Sequence, residues 1–144
     1  MATVHDILER KGHDVVAIDA ADTVLSAARR MNERGIGGVV VMDGGTMVGI
    51  FTERDVLRRV VADRKDPAST PVRDVMTTPV LRCRTDARLE ECRALMTERR
   101  IRHLPVADGD ELHGIITTGD ILAHQVREQQ DTIEFLNSYV FDVR

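Results

Sequence analysis

One phrase occurs twice in this chain: Gly49-Ile-Phe-Thr-Glu-Arg-Asp55 and, 65 residues later, Gly114-Ile-Ile-Thr-Thr-Gly-Asp120. Laying residues 31–57 over 96–122 without a gap gives 12 identities in 27 positions, from Met31 and Glu33 through Gly49, Thr52 and Asp55 to Leu57. Unrelated sequences of average composition would give about one or two. The chain is a tandem repeat of one supersecondary unit. A unit of about 60–70 residues buries too little surface to be stable alone, so the copies need a shared core. Two such copies pack about a pseudo-two-fold axis, and a pocket that one copy helps to form recurs in the other.

Composition narrows the function classes. Apolar residues make up 42% of the 144, but aromatics only 3%, and Trp is absent. The core must come from Val, Ile, Leu, Ala and Met, and few rings remain to stack on bases. A net charge of −4 argues against coating nucleic acid or an anionic membrane through bulk charge. Cys83 and Cys92 are too few for a disulfide scaffold and lack zinc-type spacing, which suits a reducing, cytoplasmic setting. Residues 1–6 open no apolar run of signal-peptide length, and nowhere do 18 apolar residues run together, so the expectation is a soluble protein.

Periodicity places the elements. Each copy opens on an amphipathic turn, Val4–Leu8 or Val72–Met76, with the register differing by three residues and Lys11-Gly12-His13 extra in the first. A short strand follows at Val15–Ile18 or Val80–Cys83. Next comes a helix with one apolar stripe: Val24, Leu25, Ala28 and Met31, or Leu89, Cys92, Leu95 and Met96. Cys92 on that stripe reads as a small core hydrophobe. Asp43-Gly44-Gly45 and Asp108-Gly109-Asp110 sit between apolar runs and predict hairpins. Pro105 cannot donate to a ladder, so its nitrogen should face an edge or a ligand. Closing helices are expected from Arg54 to about Asp63 and from Gly119 to about Gln130, and a further partly apolar helix over Asp131–Tyr139. The fold class is α+β, two pseudo-symmetric β-α-β-β-α repeats: repeat 1 at 1–61, a polar linker at 62–71, repeat 2 at 72–127 and a helical tail at 128–144.

The repeated phrase admits two readings of one geometry. Thr-x-x-Asp opening a helix is a capping box, with Thr52 as N-cap and Asp55 at N3, and likewise Thr117 and Asp120. The same helix N-terminus offers unpaired N–H groups and a positive dipole end to a phosphate, while a carboxylate can accept from two ribose hydroxyls. Ahead of the strand Leu104–Val106 stand Arg99, Arg100, Arg102 and His103, where the first copy has Gly35, Gly37 and Gly38. A basic turn can bind phosphate, or it can be a solvated helix end. A glycine turn lets a backbone or flat ring approach closely, or simply turns.

Taken in order, these pieces resemble a cystathionine β-synthase (CBS) domain pair, or Bateman module, over about Val4 to His124. Ile7-Leu8 with Lys11-Gly12, Thr52–Asp55, Arg100–Val106 and Glu128-Gln129 with Ile133 resemble the small stand-alone bacterial members more narrowly. The resemblance implies a non-catalytic regulatory module that binds an adenine nucleotide in two inter-repeat clefts and needs no metal. Thr52 and Asp55 would hold ribose or phosphate in one cleft, Thr117 and Asp120 in the other. Val16, Ile36 and Gly37, or Val80 and Leu81, would line the base. Lys11, Arg54, Arg102 and His103 are the phosphate candidates. AMP is the first ligand to expect, with ATP, ADP or NAD(H) as alternatives, and with an interaction module of vestigial clefts as another. Gly119 opposite Arg54, and Gly37-Gly38 opposite Arg102-His103, imply clefts of unequal affinity. The resemblance also implies a homodimer using Ala27, Met31, Leu95 and the closing helices, and a separate effector protein.

Other classes fit less well. His5, His13, His103, His113 and His124 are scattered, and no His, Cys or acidic group has ligand spacing or pairs a nucleophile with a base. A nucleic-acid reading would rest on Arg99, Arg100, Arg102 and His103 alone, against an acidic balance and few stacking rings.

Overall fold

The computed structural model describes residues 1–141. Helix α1, Val4–Lys11, is opened by a capping box in which the Thr3 N–H donates to Asp6 Oδ2 at 2.9 Å, and Gly12, at φ 94°, ends it. Strand β1 (Ala17–Asp19) leads to α2 (Val24–Arg34), whose first turn is capped by the Thr23 hydroxyl accepting from the Ser26 N–H at 3.1 Å. β2 (Gly38–Asp43) and β3 (Thr46–Thr52) form the hairpin. β1 joins β2 in parallel, giving the sheet order β1-β2-β3. Helix α3 (Glu53–Asp55) widens into a π-type turn over Val56–Val61, shorter and less regular than the expected helix to Asp63.

The second copy repeats the plan: a 3₁₀ turn at Val72–Asp74, α4 (Leu89–Arg99), and the hairpin β4 (His103–Asp108) and β5 (Glu111–Thr117). Even the β-bulge recurs, between Val41 and Met42 and again between Val106 and Ala107. One expected element does not form as a strand. Residues 80–83 make only a single parallel bridge, Cys83 with Val106. The cause is Pro105. In the first copy the Val40 N–H donates to the Val16 carbonyl at 3.1 Å and extends the ladder. Pro105 occupies the equivalent place and has no N–H, so its ladder stops at the bonds Cys83 N–H to Pro105 O, 3.0 Å, and Ala107 N–H to Cys83 O, 2.9 Å.

Helix α5 corrects the expected break near Gln130: it runs unbroken from Thr118 to Phe141, 24 residues. The buried stripe of α2 is Val24, Ala27 and Met31, with Leu25 and Ala28 only half-buried.

The two cores are interlocked. The first gathers Ile18, Val24, Ala27, Met31, Val39, Val41, Phe51 and Val60, and adds Val72 and Val75 from the opening of the second copy. The second gathers Leu89, Cys92, Met96, Leu104, Val106, Ile116 and Ile121, and adds Val4, Ile7 and Leu8 from the opening of the first. Each opening segment therefore completes the other copy's core. Ala27 and Met31, at 0% and 4% exposure, are spent in this packing and cannot form a dimer face. The large apolar residues left outside include Leu57 and Val61 and their repeat equivalents Leu122 and Val126.

Candidate functional site

The exchange of opening segments fixes what surrounds each Thr-x-x-Asp. In the first copy the Thr52 N–H donates to Asp55 Oδ2 at 3.0 Å, as a capping box requires. The bridge between Ile50 and Thr77 brings Thr77 from the second copy alongside β3, and its hydroxyl donates to Asp55 Oδ1 at 2.8 Å. The Arg59 Nε lies 3.7 Å from the same oxygen. Asp55 is 5% exposed and is the one charged residue buried among the described residues. The Thr52 hydroxyl lies 3.4 Å from Oδ2, so the roughly four lone-pair sites of the carboxylate meet two short contacts, from the Thr52 N–H and the Thr77 hydroxyl, and two long ones, from the Thr52 hydroxyl and Arg59.

Above it, the turn before β4 faces the turn into α3. The Glu53 N–H donates to the Gly37 carbonyl at 3.0 Å and the Thr118 N–H to the Arg102 carbonyl at 3.1 Å, an equivalent pair that ties each helix start to its turn. The His103 ring packs against the glycine turn: a Cβ on Gly38 would stand 3.1 Å from its Cδ2, and one on Gly37 3.5 Å from its Cε1. The close approach of the ring is tight only at Gly38; a Cβ on Gly37 would make ordinary contact with the ring and press instead on the Glu53 side chain at 3.3 Å. Arg54 donates to the Arg100 carbonyl across the cleft. Arg100 ends α4 in the left-handed region at φ 55°, where the first copy uses Gly35 at φ 62°. A non-glycine there costs on the order of 1 kcal/mol.

Together these residues enclose a cleft of about 350 Å³, lined by Thr52, Arg54, Asp55 and Gly37 of the first copy, Thr77, and Arg100, Arg102 and His103 of the second. Four arginines (54, 58, 100, 102) face two carboxylates (Glu53, Asp55), so the cleft favours an anion. Burial, with Lys11 and Arg102 adding to it, holds His103 below the ordinary imidazole range against an opposing pull from Glu53 and Asp120.

The second copy is built alike and differs in charge. The Thr117 N–H donates to Asp120 Oδ2 at 2.9 Å, and the Thr117 hydroxyl accepts from the Asp120 N–H at 3.1 Å. Here the exchanged segment supplies Lys11, whose ammonium donates to Asp120 Oδ2 at 2.7 Å and to the Ile115 carbonyl at 2.8 Å. The adjoining cleft is smaller, about 220 Å³, between α1 and α5, with Arg10, His124 and Arg127 in its wall.

Of the residues expected from sequence, Gly37, Thr52, Arg54, Asp55, Arg102 and His103 meet in one cleft, while Lys11, Thr117 and Asp120 meet in the other region. Val16 and Ile36 pack against the first core and Leu81 against the second, and Val80 lies half-buried on the extended segment. None of these four is among the lining residues of either cleft. Thr77 and Arg58 line the first cleft without having been singled out. At the repeat spacing of 65, Thr77 stands opposite Gly12, so the alignment carries no signal for it.

Two interlocked α+β repeats with a polar cleft at their junction define a tandem-repeat module. The CBS-domain family model matches residues 4–62 and again 72–127, and the chain belongs to that family. The structure is similar to that of a signal-transduction protein with CBS domains from Burkholderia ambifaria, with a TM-score of 0.86 and 39% identity, covering 89% of this chain and 96% of that one. The CBS domain-containing protein YhcV of Bacillus subtilis is 30% identical over 129 residues, 90% of this chain and 89% of that protein. The mitochondrial CBS domain-containing protein CBSX3 of Arabidopsis thaliana is 30% identical over 147 residues, 96% of this chain and 71% of that protein. Among the described residues no helix is long and apolar enough to cross a membrane, and no group of three or more His, Cys, Asp or Glu is placed to hold a metal ion.

Proposed function

We propose that this CBS pair is a regulatory sensor of an adenine mononucleotide, AMP first among the candidates, with no catalytic step of its own. The observation that carries the reading is Asp55: a buried carboxylate, two of whose four contacts are long, beside a threonine hydroxyl on the floor of a cleft walled by arginines. A buried carboxylate whose nearest cation, the Arg59 guanidinium, stands at 3.7 Å, longer than a hydrogen bond, suits a ribose diol, and the arginines with the N-terminus of α3 suit a phosphate. A cleft of about 350 Å³ is near the lower end of the range for ligand pockets, which favours a mononucleotide over a dinucleotide such as NAD(H). Because the cleft walls come from both copies, a bound nucleotide would bias the tilt between them and signal to a separate effector protein. The chain acts in the cytoplasm as a homodimer, with Leu57, Val61, Leu122 and Val126 on the closing helices as its first apolar contacts.

The test is a thermal-shift and calorimetry panel of AMP, ADP, ATP and NAD(H) on the native chain and on Asp55→Ala. A ligand at 100 times its Kd stabilises by about 2.7 kcal/mol, or roughly 8 °C for a chain of this size. A shift that Asp55→Ala removes supports the sensor. Absence of any shift on the native chain would leave Thr52 and Asp55 as helix caps in an interaction module.

A further inference from the structure

Helix α5 outruns its own domain. Ile121 is buried in the second core, and His124 and Gln125 are half-buried, but from Val126 to Val140 every side chain is exposed. A free helix of about 15 residues is marginal in water, so this length calls for a partner. The pattern of the exposed residues names one. Leu122, Val126, Gln129, Ile133, Leu136 and Val140 follow one another at steps of four and three, the seam of a heptad repeat. With Val126 taken as position a, the a positions are Val, Ile and Val and the d positions Leu, Gln and Leu. The charged residues of this stretch, Arg127, Glu128, Asp131 and Glu134, all fall at b, c or f, leaving the seam and its e and g flanks free of charge.

We propose that α5 pairs with α5 of a second copy of this chain as a parallel two-stranded coiled coil over residues 122–140. β-branched residues at a with Leu at d favour two parallel strands, and a single polar residue in the seam, here Gln129, fixes the register at some cost in stability. The five apolar seam residues are 61, 49, 57, 51 and 64% exposed. At on the order of 100 Å² apiece, the area implied by the transfer energy of Val, Leu or Ile, they offer roughly 500 Å². That matches the apolar share, about 65% of about 800 Å², that one partner brings to a standard homodimer interface. The absence of charge along the seam and flanks means that two identical helices meet without repulsion. This inference rests on and deepens the homodimer reading above by extending its contacts from Leu122 and Val126 along α5 to Val140, and it is independent of the nucleotide.

Sedimentation equilibrium on the full chain tests it, comparing the native protein with an Ile133→Asp, Leu136→Asp double variant. The expected result is a native dimer and at least a 100-fold weaker self-association in the variant, with its nucleotide-induced thermal shift retained because both sites are exposed and far from the cleft. Leu136→Cys, a seam position, should form an interchain disulfide under mild oxidation while Phe135→Cys, one residue off the seam, should not. A dimer that survives both charges, or equal cross-linking from 135 and 136, overturns the coiled coil while leaving the homodimer reading in place. A monomeric native chain overturns both.

Discussion

The Lys11 ammonium lies 2.7 Å from Asp120 Oδ2, an ion pair closed between residues 109 apart in sequence. The corresponding carboxylate in the other copy, Asp55, is met by the neutral Thr77 hydroxyl at 2.8 Å. The repeat thus delivers two similar carboxylates, and the exchanged segments bring a cation into hydrogen-bond contact with one and a neutral hydroxyl to the other, whose own cation, Arg59, stands at 3.7 Å. Both partners of the ion pair are partly exposed, so the pair contributes about 1 kcal/mol or less. Lys11→Met is expected to lower the urea-denaturation free energy by that amount, with the loss shrinking at high salt.

The same asymmetry predicts unequal clefts. Asp55→Ala should abolish the nucleotide-induced thermal shift, whereas Asp120→Ala should leave most of it. Each substitution also removes half of a capping box and costs about 1 kcal/mol in the ligand-free protein. Isothermal titration calorimetry separates the two effects, because the cap changes stability and the carboxylate changes affinity. Equal losses from both variants would contradict the distinction.

His103 gives the cleft a pH dependence. Its folded-state pKa lies below the ordinary imidazole value of 6.5, chiefly through burial, so the unfolded chain binds the proton more readily than the folded one. Stability is unaffected above that value and falls as the pH drops through it. His103→Gln should therefore lose less melting temperature than the native chain between about pH 7.5 and 5.5. An anionic ligand beside the ring favours the imidazolium, so nucleotide binding near pH 6 should take up protons. Calorimetry in buffers of different ionisation enthalpy measures the net exchange, and His103→Gln should remove the uptake by the ring while leaving the release from the ligand phosphate, which itself titrates at about pH 6.

Arg100 holds a left-handed conformation that its repeat equivalent fills with glycine. Arg100→Gly is expected to raise stability by about 1 kcal/mol while weakening nucleotide binding several-fold, since the cleft loses one of its four arginines. Chemical denaturation and calorimetry on one preparation read both. A variant that gains stability without losing affinity would remove Arg100 from the site.

The interlocked cores predict that repeat glycines act as seats for the other copy's opening segment. A Cβ on Gly49 would lie 2.8 Å from Met76 Cγ and 3.1 Å from the Thr77 carbonyl oxygen, and one on Gly114 2.8 Å from Leu8 Cδ2. Gly49→Ala should cost about 1–3 kcal/mol and loosen Thr77 from Asp55, lowering nucleotide affinity as well. Gly114→Ala meets only a side chain and should cost less. Leu8→Ala, deleting a fully packed side chain from the core of the opposite copy, should cost about 2–5 kcal/mol, and scanning calorimetry should show a single transition instead of two.

The repeat, the hairpins, the stripe helices and both capping boxes were legible in the sequence because they depend on local spacing. Periodicity marks a buried face, Asp-Gly marks a turn, and Thr-x-x-Asp marks a helix start whatever the chain does elsewhere. The correspondence of Gly37-Gly38 with Arg102-His103 was also readable, since the repeat equates the two positions. Three features were decided only in three dimensions. The opening segments cross over, because Val4, Ile7, Leu8, Val72 and Val75 are apolar and a pattern says that a residue is buried without saying in which core. The first strand of the second copy shrinks to one bridge, because the effect of Pro105 depends on which neighbour its missing N–H faces. The two clefts differ in charge, because the choice of Thr77 for Asp55 and Lys11 for Asp120 is made by contacts between distant segments, where the repeat spacing equates Thr77 with a glycine and gives no sign of either pairing.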